Sequence, residues 1–229
     1  MVSHLIQGER VTMPVRIRDA SACAAMFTVP ARRARSVLSH AGLDPVEPVR
    51  GTAVCALAFV HYRDGDLGSY HEFAVAFLVR DPVRRGSGAF IHWLPVDQTF
   101  TLAAGRTIWG FPKEMADIDL RLGGRTKSCV IRQDGRLVAG LLVKPGIPVP
   151  SRSELVSLDA YTHQDGVLRR IPWKLRAQRV RSRPGGALLR LGDHPVAREL
   201  ASLGLPKTAL CTSSIGTMAM TVADADVVG

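Results

Sequence analysis

A lysine stands directly behind an aromatic, glycine-spaced and proline-stiffened run, in the segment Gly105-Arg106-Thr107-Ile108-Trp109-Gly110-Phe111-Pro112-Lys113-Glu114-Met115. The chain holds 5 lysines against 25 arginines, so arginine carries plain positive charge almost everywhere. A lysine kept in a mostly apolar segment is therefore a candidate for chemistry that arginine cannot do. A desolvated lysine can lose its proton and attack a carbonyl carbon, whereas a guanidinium stays charged. The same residues also read as a surface lysine at the start of a strand, and the segment alone leaves both readings open.

A second candidate lies upstream, in residues 69–79. As a strand, this segment puts Glu72 in register with Ala74, Ala76 and Leu78, and Phe73, Val75, Phe77 and Val79 on the other face. Both faces are apolar, so Glu72 stands at the mouth of a buried strand with small neighbours that leave space around it. A carboxylate there must be paired or neutralised. It is either a salt-bridged strand end or a general acid/base in a pocket. His71 points to the opposite face and reads as structural.

The elements that would position these groups are mostly strands. Residues 52–62 form a nearly continuous apolar run, suited to a sheet buried on both faces. A turn at 63–68 leads into a second buried strand at 70–79. Strands at 128–132 and 137–143 flank Asp134-Gly135, a hairpin signal. Further strands span 167–183 and 187–191. Short amphipathic helices are predicted at 30–42 and 195–204, the second opened by Pro195 and stopped by Gly204. Residues 81–88 and 144–153 read as loops. No internal repeat is visible, and one continuous domain over 1–229 is expected.

Composition removes several function classes. The 46% apolar and 22% charged fractions are ordinary for a globular chain. No apolar run approaches the ~18 residues that a membrane helix needs. The N-terminus lacks a secretion pattern, so the expected location is the cytoplasm. Cys23, Cys55, Cys129 and Cys211 are too scattered for a metal site or a disulfide framework and read as buried free thiols. The net charge of +10 raises the question of nucleic acid. Its densest run, residues 169–183, partly alternates charged with apolar residues, as a strand with one solvated face does. Aromatics are only 6% and no nucleic-acid motif appears, which argues against such a partner. The charge would also attract small anionic substrates.

Taken together, the order of motifs resembles the acetoacetate decarboxylase family. The matching pieces are Gly68-Ser69-Tyr70-His71-Glu72, then Gly105-Arg106 and Trp109-Gly110-Phe111-Pro112-Lys113, then a tail from Asp193-His194-Pro195 to Leu203-Gly204-Leu205-Pro206. The resemblance covers roughly residues 15 to 225. It implies an α+β, mostly antiparallel fold, with a curved sheet closing into a cone-like β-barrel and a few short helices. It also implies a homo-oligomer and a lyase that decarboxylates a small β-keto acid through a Schiff base at Lys113. The protonated imine is an electron sink for the pair released with CO₂, so no organic cofactor or metal is required. Glu72 would handle protons or orient substrate, and Ile108, Trp109, Phe111 and Met115 would form the walls.

Two departures stand out. Where the family has a second lysine after the reactive one, this chain has Glu114, whose carboxylate would hold a nearby amine charged. In an extended segment residue 114 points away from residue 113. However, Ala116, Ile118 and Leu120 share the register of Glu114, while Asp117 and Asp119 share that of Lys113, so parity does not say which side is buried; a bulge is one way out. The family also has an early arginine near the substrate carboxylate. Arg16 and Arg18 are the candidates, and Arg18 is carried over; the plain alternative is an edge strand with solvated arginines. Besides decarboxylation, the same imine could serve aldol condensation or dehydration, or the chain could be a non-catalytic barrel that binds a small ligand.

Overall fold

The computed structural model describes residues 2–150 and 155–228. The chain opens with a hairpin, β1 (Ser3–Ile6) and β2 (Glu9–Thr12), and continues into a long strand, β3 (Val15–Pro30). The predicted helix at 30–42 is α1 (Ala31–Leu38), which buries Ala31, Ala34 and Leu38. A 3-10 turn extends it to Gly42, which adopts the left-handed conformation (φ 64°) that glycine tolerates without strain. A meander follows in β4 (Thr52–Gly65), β5 (Tyr70–Arg80) and β6 (Ser87–Val96). Helix α2 (Thr99–Ala104) runs into a π-helical turn, Gly105–Trp109, and then a three-residue strand, β7 (Lys113–Met115).

A second meander comprises β8 (Asp117–Arg121), β9 (Lys127–Gln133) and β10 (Arg136–Val143). Asp134 and Gly135 between the last two both have positive φ, as a tight hairpin turn demands. The remainder is β11 (Ile147–Pro148), β12 (Val156–Gln164), β13 (Val167–Pro184), β14 (Ala187–Leu191), α3 (Pro195–Ser202), β15 (Cys211–Val222) and β16 (Asp226–Val227). The architecture is α+β, mostly antiparallel, with few helices. Among the described residues no helix is long and apolar enough to cross a membrane.

The strand pairings close on themselves. β12, β6, β5, β4, β3, β15 and β13 are joined in that order, and β13 returns to β12, which makes a ring of seven strands. The four-stranded sheet β14-β10-β9-β8 packs with α1 and α3 outside part of this ring. Two cores result. One lies between the ring and the small sheet and is built on Phe27, Phe59, Phe73 and Phe77, all fully buried. The other gathers residues from all seven ring strands, with the β1–β2 hairpin and the π-helical turn, and fills the ring's inward side.

Three expectations need correction. β4 and β5 are fully sealed on the face of Cys55, Leu57, Phe59, Phe73, Val75 and Phe77 and only partly on the other, where Val54, Tyr62, Tyr70, Glu72 and Ala76 are buried but Ala56, Ala58 and Ala74 are half-buried. That face looks into the ring, where small alanine side chains meet the second core. The strand carrying Arg16 and Arg18 is not an edge, because β3 pairs with β15 on one side and β4 on the other. The loop read at 144–153 contains β11, and its last three positions lie outside the described residues.

Candidate active site

Lys113 begins β7, which pairs in parallel with β6, Lys113 opposite Leu94. Its side chain is 3% exposed and lies on the ring's inward side. Nζ sits 2.9 Å from Glu72 Oε2 and donates to Thr101 Oγ1 at 2.8 Å. It also lies 5.0 Å from the centroid of the Tyr70 ring. Glu72, 7% exposed, accepts a second hydrogen bond at Oε1 from the hydroxyl of Tyr62, at 2.9 Å. Tyr62 and Tyr70 face each other across the β4–β5 hairpin with stacked rings 4.4 Å apart. Burial, and then the charge of Glu72, push both phenols well above their usual value of 10, so both stay protonated.

The local fold explains how these groups meet. Gln98 caps α2 by accepting from Thr101 N at 2.6 Å, which sets the first turn and presents the Thr101 hydroxyl to the lysine. A Cβ at Gly105 would lie 2.6 Å from both Cδ and Cε of Lys113, so the lysine stem lies directly against that backbone. Only glycine leaves this path open. The π-helical turn closes on Gly110 (φ 67°), and Arg106 Nε then bonds the Lys113 carbonyl at 2.8 Å, tying the turn to β7. π-Helical turns concentrate at functional sites, where an extra residue re-aims side chains.

Strand register sets which side chains surround Glu72. Ala22, Val60 and Glu72 are cross-strand neighbours on β3, β4 and β5, and Ala24, Ala58 and Ala74 form the next row. Small side chains thus flank the carboxylate on the ring's inward face.

The sequence-predicted residues divide. Lys113 and Glu72 are brought into contact. Ile108, Trp109 and Phe111 are buried in the same inward cluster, with Trp109 Nε1 donating to the Ala223 carbonyl at 2.7 Å. Met115 leaves the cluster and is 43% exposed, because β7 ends there and the chain crosses to the small sheet. Arg18 points outward and is held by Asp64 at 2.7 Å and Asp66 at 2.6 Å. Arg16 is exposed on the same face, while Val15 and Ile17, which alternate with the arginines, point inward. Alternation along β3 therefore sends both arginines away from Lys113.

Glu114 faces away from the amine. It accepts from Trp93 Nε1 and Gln133 Nε2, each at 2.9 Å, on the side of the small sheet. Ala116, Ile118 and Leu120 pack on that same core. The parity conflict dissolves without a bulge, because the face of Lys113 passes from the ring interior to solvent within a few residues. Sequence reasoning missed Tyr62 and Thr101. Tyr62 had a signal, as it ends the apolar run on the parity of Val60 and Ala58. Thr101 had little, since the helix carrying it is only six residues long and has no apolar period to announce it. Among the described residues no group of three His, Cys, Asp or Glu gathers as a metal site.

The model of the acetoacetate decarboxylase (ADC) family matches residues 7–228. The chain belongs to the acetoacetate decarboxylase family. It is thus an enzyme of that family. No curated protein sequence matches it. Among solved structures it is similar to acetoacetate decarboxylase from Legionella pneumophila subsp. pneumophila str. Philadelphia 1, with 19% identity over 94% of this chain and 87% of that one, at a TM-score of 0.73. An acetoacetate decarboxylase-like enzyme from Sphingomonas wittichii RW1 matches with 15% identity over 96% and 94%, at a TM-score of 0.67. The enduracididine biosynthesis enzyme MppR complexed with pyruvate matches with 16% identity over 95% and 91%, at a TM-score of 0.65. At these identities the likeness is one of fold. The family's fold is thus held across chains that share fewer than one residue in five.

Proposed function

We propose that this protein of the acetoacetate decarboxylase family decarboxylates a small β-keto acid through an imine on Lys113. The observation that carries this reading is a buried lysine amine 2.9 Å from a buried carboxylate and 2.8 Å from a hydroxyl, beside a face of small side chains. Glu72 takes a proton from Nζ and frees its lone pair. The amine adds to the keto carbon, and loss of water leaves a protonated imine. The bond to the carboxylate carbon breaks, CO₂ departs, and the electron pair moves into the imine to give an enamine. Glu72, having given its first proton to the departing water, takes another from solvent and delivers it to the enamine carbon; hydrolysis then frees the ketone and restores the lysine. Tyr62, kept protonated, holds the other oxygen of Glu72 in place. Nothing in this scheme calls for a cofactor.

In the same reading the ring of strands is the wall of a cone-like barrel formed by one domain. The working form is a cytoplasmic homo-oligomer whose positive charge draws the anionic substrate. The test is borohydride reduction in the presence of acetoacetate or pyruvate, followed by mass spectrometry of the Lys113 peptide. An adduct on Lys113 with CO₂ release from acetoacetate is the expected result. An adduct with aldehyde consumption and no CO₂ would assign the aldolase or dehydratase outcome instead. No adduct on folded protein would leave a ligand-binding protein.

A further inference from the structure

A cavity of about 650 Å³ lies away from Lys113 and Glu72, neither of which lines it. It forms where β3, β15 and β13 meet the segment joining β8 to β9. Its wall carries Arg63, Lys127, Arg179 and Arg181, with the hydroxyls of Ser21 and Ser214. Among the described residues no carboxylate lines it. Its size is that of a small-molecule site.

Many surface cations of this chain are held by carboxylates, though among the described residues some, such as Arg33, Arg169 and Arg183, donate only to carbonyls. Arg35 meets Glu47, Arg170 meets Asp159 and Asp226, and Arg136 and Arg198 share Asp193. Among the described residues, the one cavity cation with a carboxylate is Arg63, which grips Asp19 through two bonds of 2.6 Å while donating to Ser21 Oγ. Lys127 donates to the carbonyls of Leu122 and Gly124. Arg181 donates to the Gly146 carbonyl, and Arg179 to the Gly216 carbonyl and Thr217. Carbonyls fix the direction of these side chains, and among the described residues the nearby carboxylate is Asp19, which Arg63 already holds and whose charge Arg179 also feels.

The backbone adds an independent sign. Arg179 has φ 53° in the middle of a long strand, whereas Gln7, Asp134 and Asp165, which share that conformation, sit in hairpin turns. A non-glycine residue in this region is strained, and such strain persists where a side chain has to be aimed. Gly216 opposite makes it feasible, since a Cβ there would lie 3.0 Å from the Arg179 side chain. The neighbouring β15–β3 ladder is irregular at this point, with β15 shifting register between Ile215 and Met218.

We propose that this cavity is a second binding site for a small oxyanion of the phosphate-ester class, held by Lys127, Arg179 and Arg181. Guanidinium forks match the oxygens of such a group, and charge-assisted bonds to it are the strong kind. The site is independent of the imine chemistry proposed for Lys113.

Calorimetric titration of the purified protein with pyrophosphate tests it. Saturable binding is expected, weakened about tenfold or more in Arg179→Gly and in Arg181→Gln, the loss ordinarily seen when a charged hydrogen-bonding partner is removed. Arg179→Gly keeps the left-handed backbone without strain, and a melting curve that matches the wild type separates lost affinity from the lost bonds to Gly216 and Thr217. Lys174→Gln on another basic face should bind as the wild type does. Absence of binding, or affinity unchanged in both cavity variants, overturns the proposal. Borohydride trapping at Lys113 in Arg179→Gly should be unaffected, which keeps the two sites separately testable.

Discussion

At the scale of single residues, the pairing of Lys113 with Glu72 sets both the chemistry and its cost. Each is buried, and each is satisfied largely by the other. Removing one partner of a buried ion pair typically costs about 3–5 kcal/mol, because the charge left behind is desolvated and unmatched. Lys113→Met should therefore be destabilised by roughly that amount as well as unable to form a reducible adduct. Lys113→Met/Glu72→Gln should recover most of the stability while remaining unreactive, since a neutral amide can still accept from Tyr62. Urea denaturation together with adduct mass spectrometry separates the two effects. A double variant as unstable as the single one would show that the pair is not what holds this part of the core.

At the scale of elements, the π-helical turn and β7 work as one positioning unit. The turn places Gly105 against the lysine stem, and the bond from Arg106 to the Lys113 carbonyl keeps the two in step. A methyl group at position 105 would overlap Cδ and Cε of Lys113 and push the amine away from Glu72 and Thr101. Gly105→Ala should then lower kcat/KM by about 10²-fold or more, the usual penalty for displacing a reacting group by about an ångström. Thermal stability should fall far less, because the lysine stem can move. Steady-state decarboxylation measured beside a melting curve checks this. Full activity in a folded Gly105→Ala protein would mean that the turn does not govern where the amine sits.

At the scale of the whole molecule, two cores share one curved sheet, and their burial makes the fold sensitive to alkali. Desolvation raises the thiols of Cys23 and Cys55 to about 12, and pushes Cys129 and the phenols of Tyr62 and Tyr70 up as well. In the unfolded chain a thiol ionises near ~8.5 and a phenol near ~10. Folded pKa values that lie above unfolded ones contribute stability that is complete below the unfolded value and is lost as pH rises through the folded one. The urea midpoint should thus hold steady up to pH 8 and fall progressively from there toward pH 12. Cys55→Val should flatten the early part of that fall. A midpoint that is flat to pH 11 would contradict the burial of these groups.

Much of this was legible in the residues themselves. Alternation in 69–79 placed Glu72 among small side chains, the scarcity of lysine singled out Lys113, and Asp134-Gly135 and Pro195 marked elements that the structure contains. These signals are local, and each is encoded by neighbours a few positions apart. Tertiary structure alone decided which face of a strand becomes an interior. It turned Arg16 and Arg18 outward on a ring strand, carried Met115 into solvent, and sent Glu114 to Trp93 and Gln133. It also brought Thr101 from a helix with almost no sequence signal, and Tyr62 from across a hairpin, to the same amine and carboxylate. A period of two says that faces alternate; only closure of seven strands around a shared interior says which of the two is enclosed.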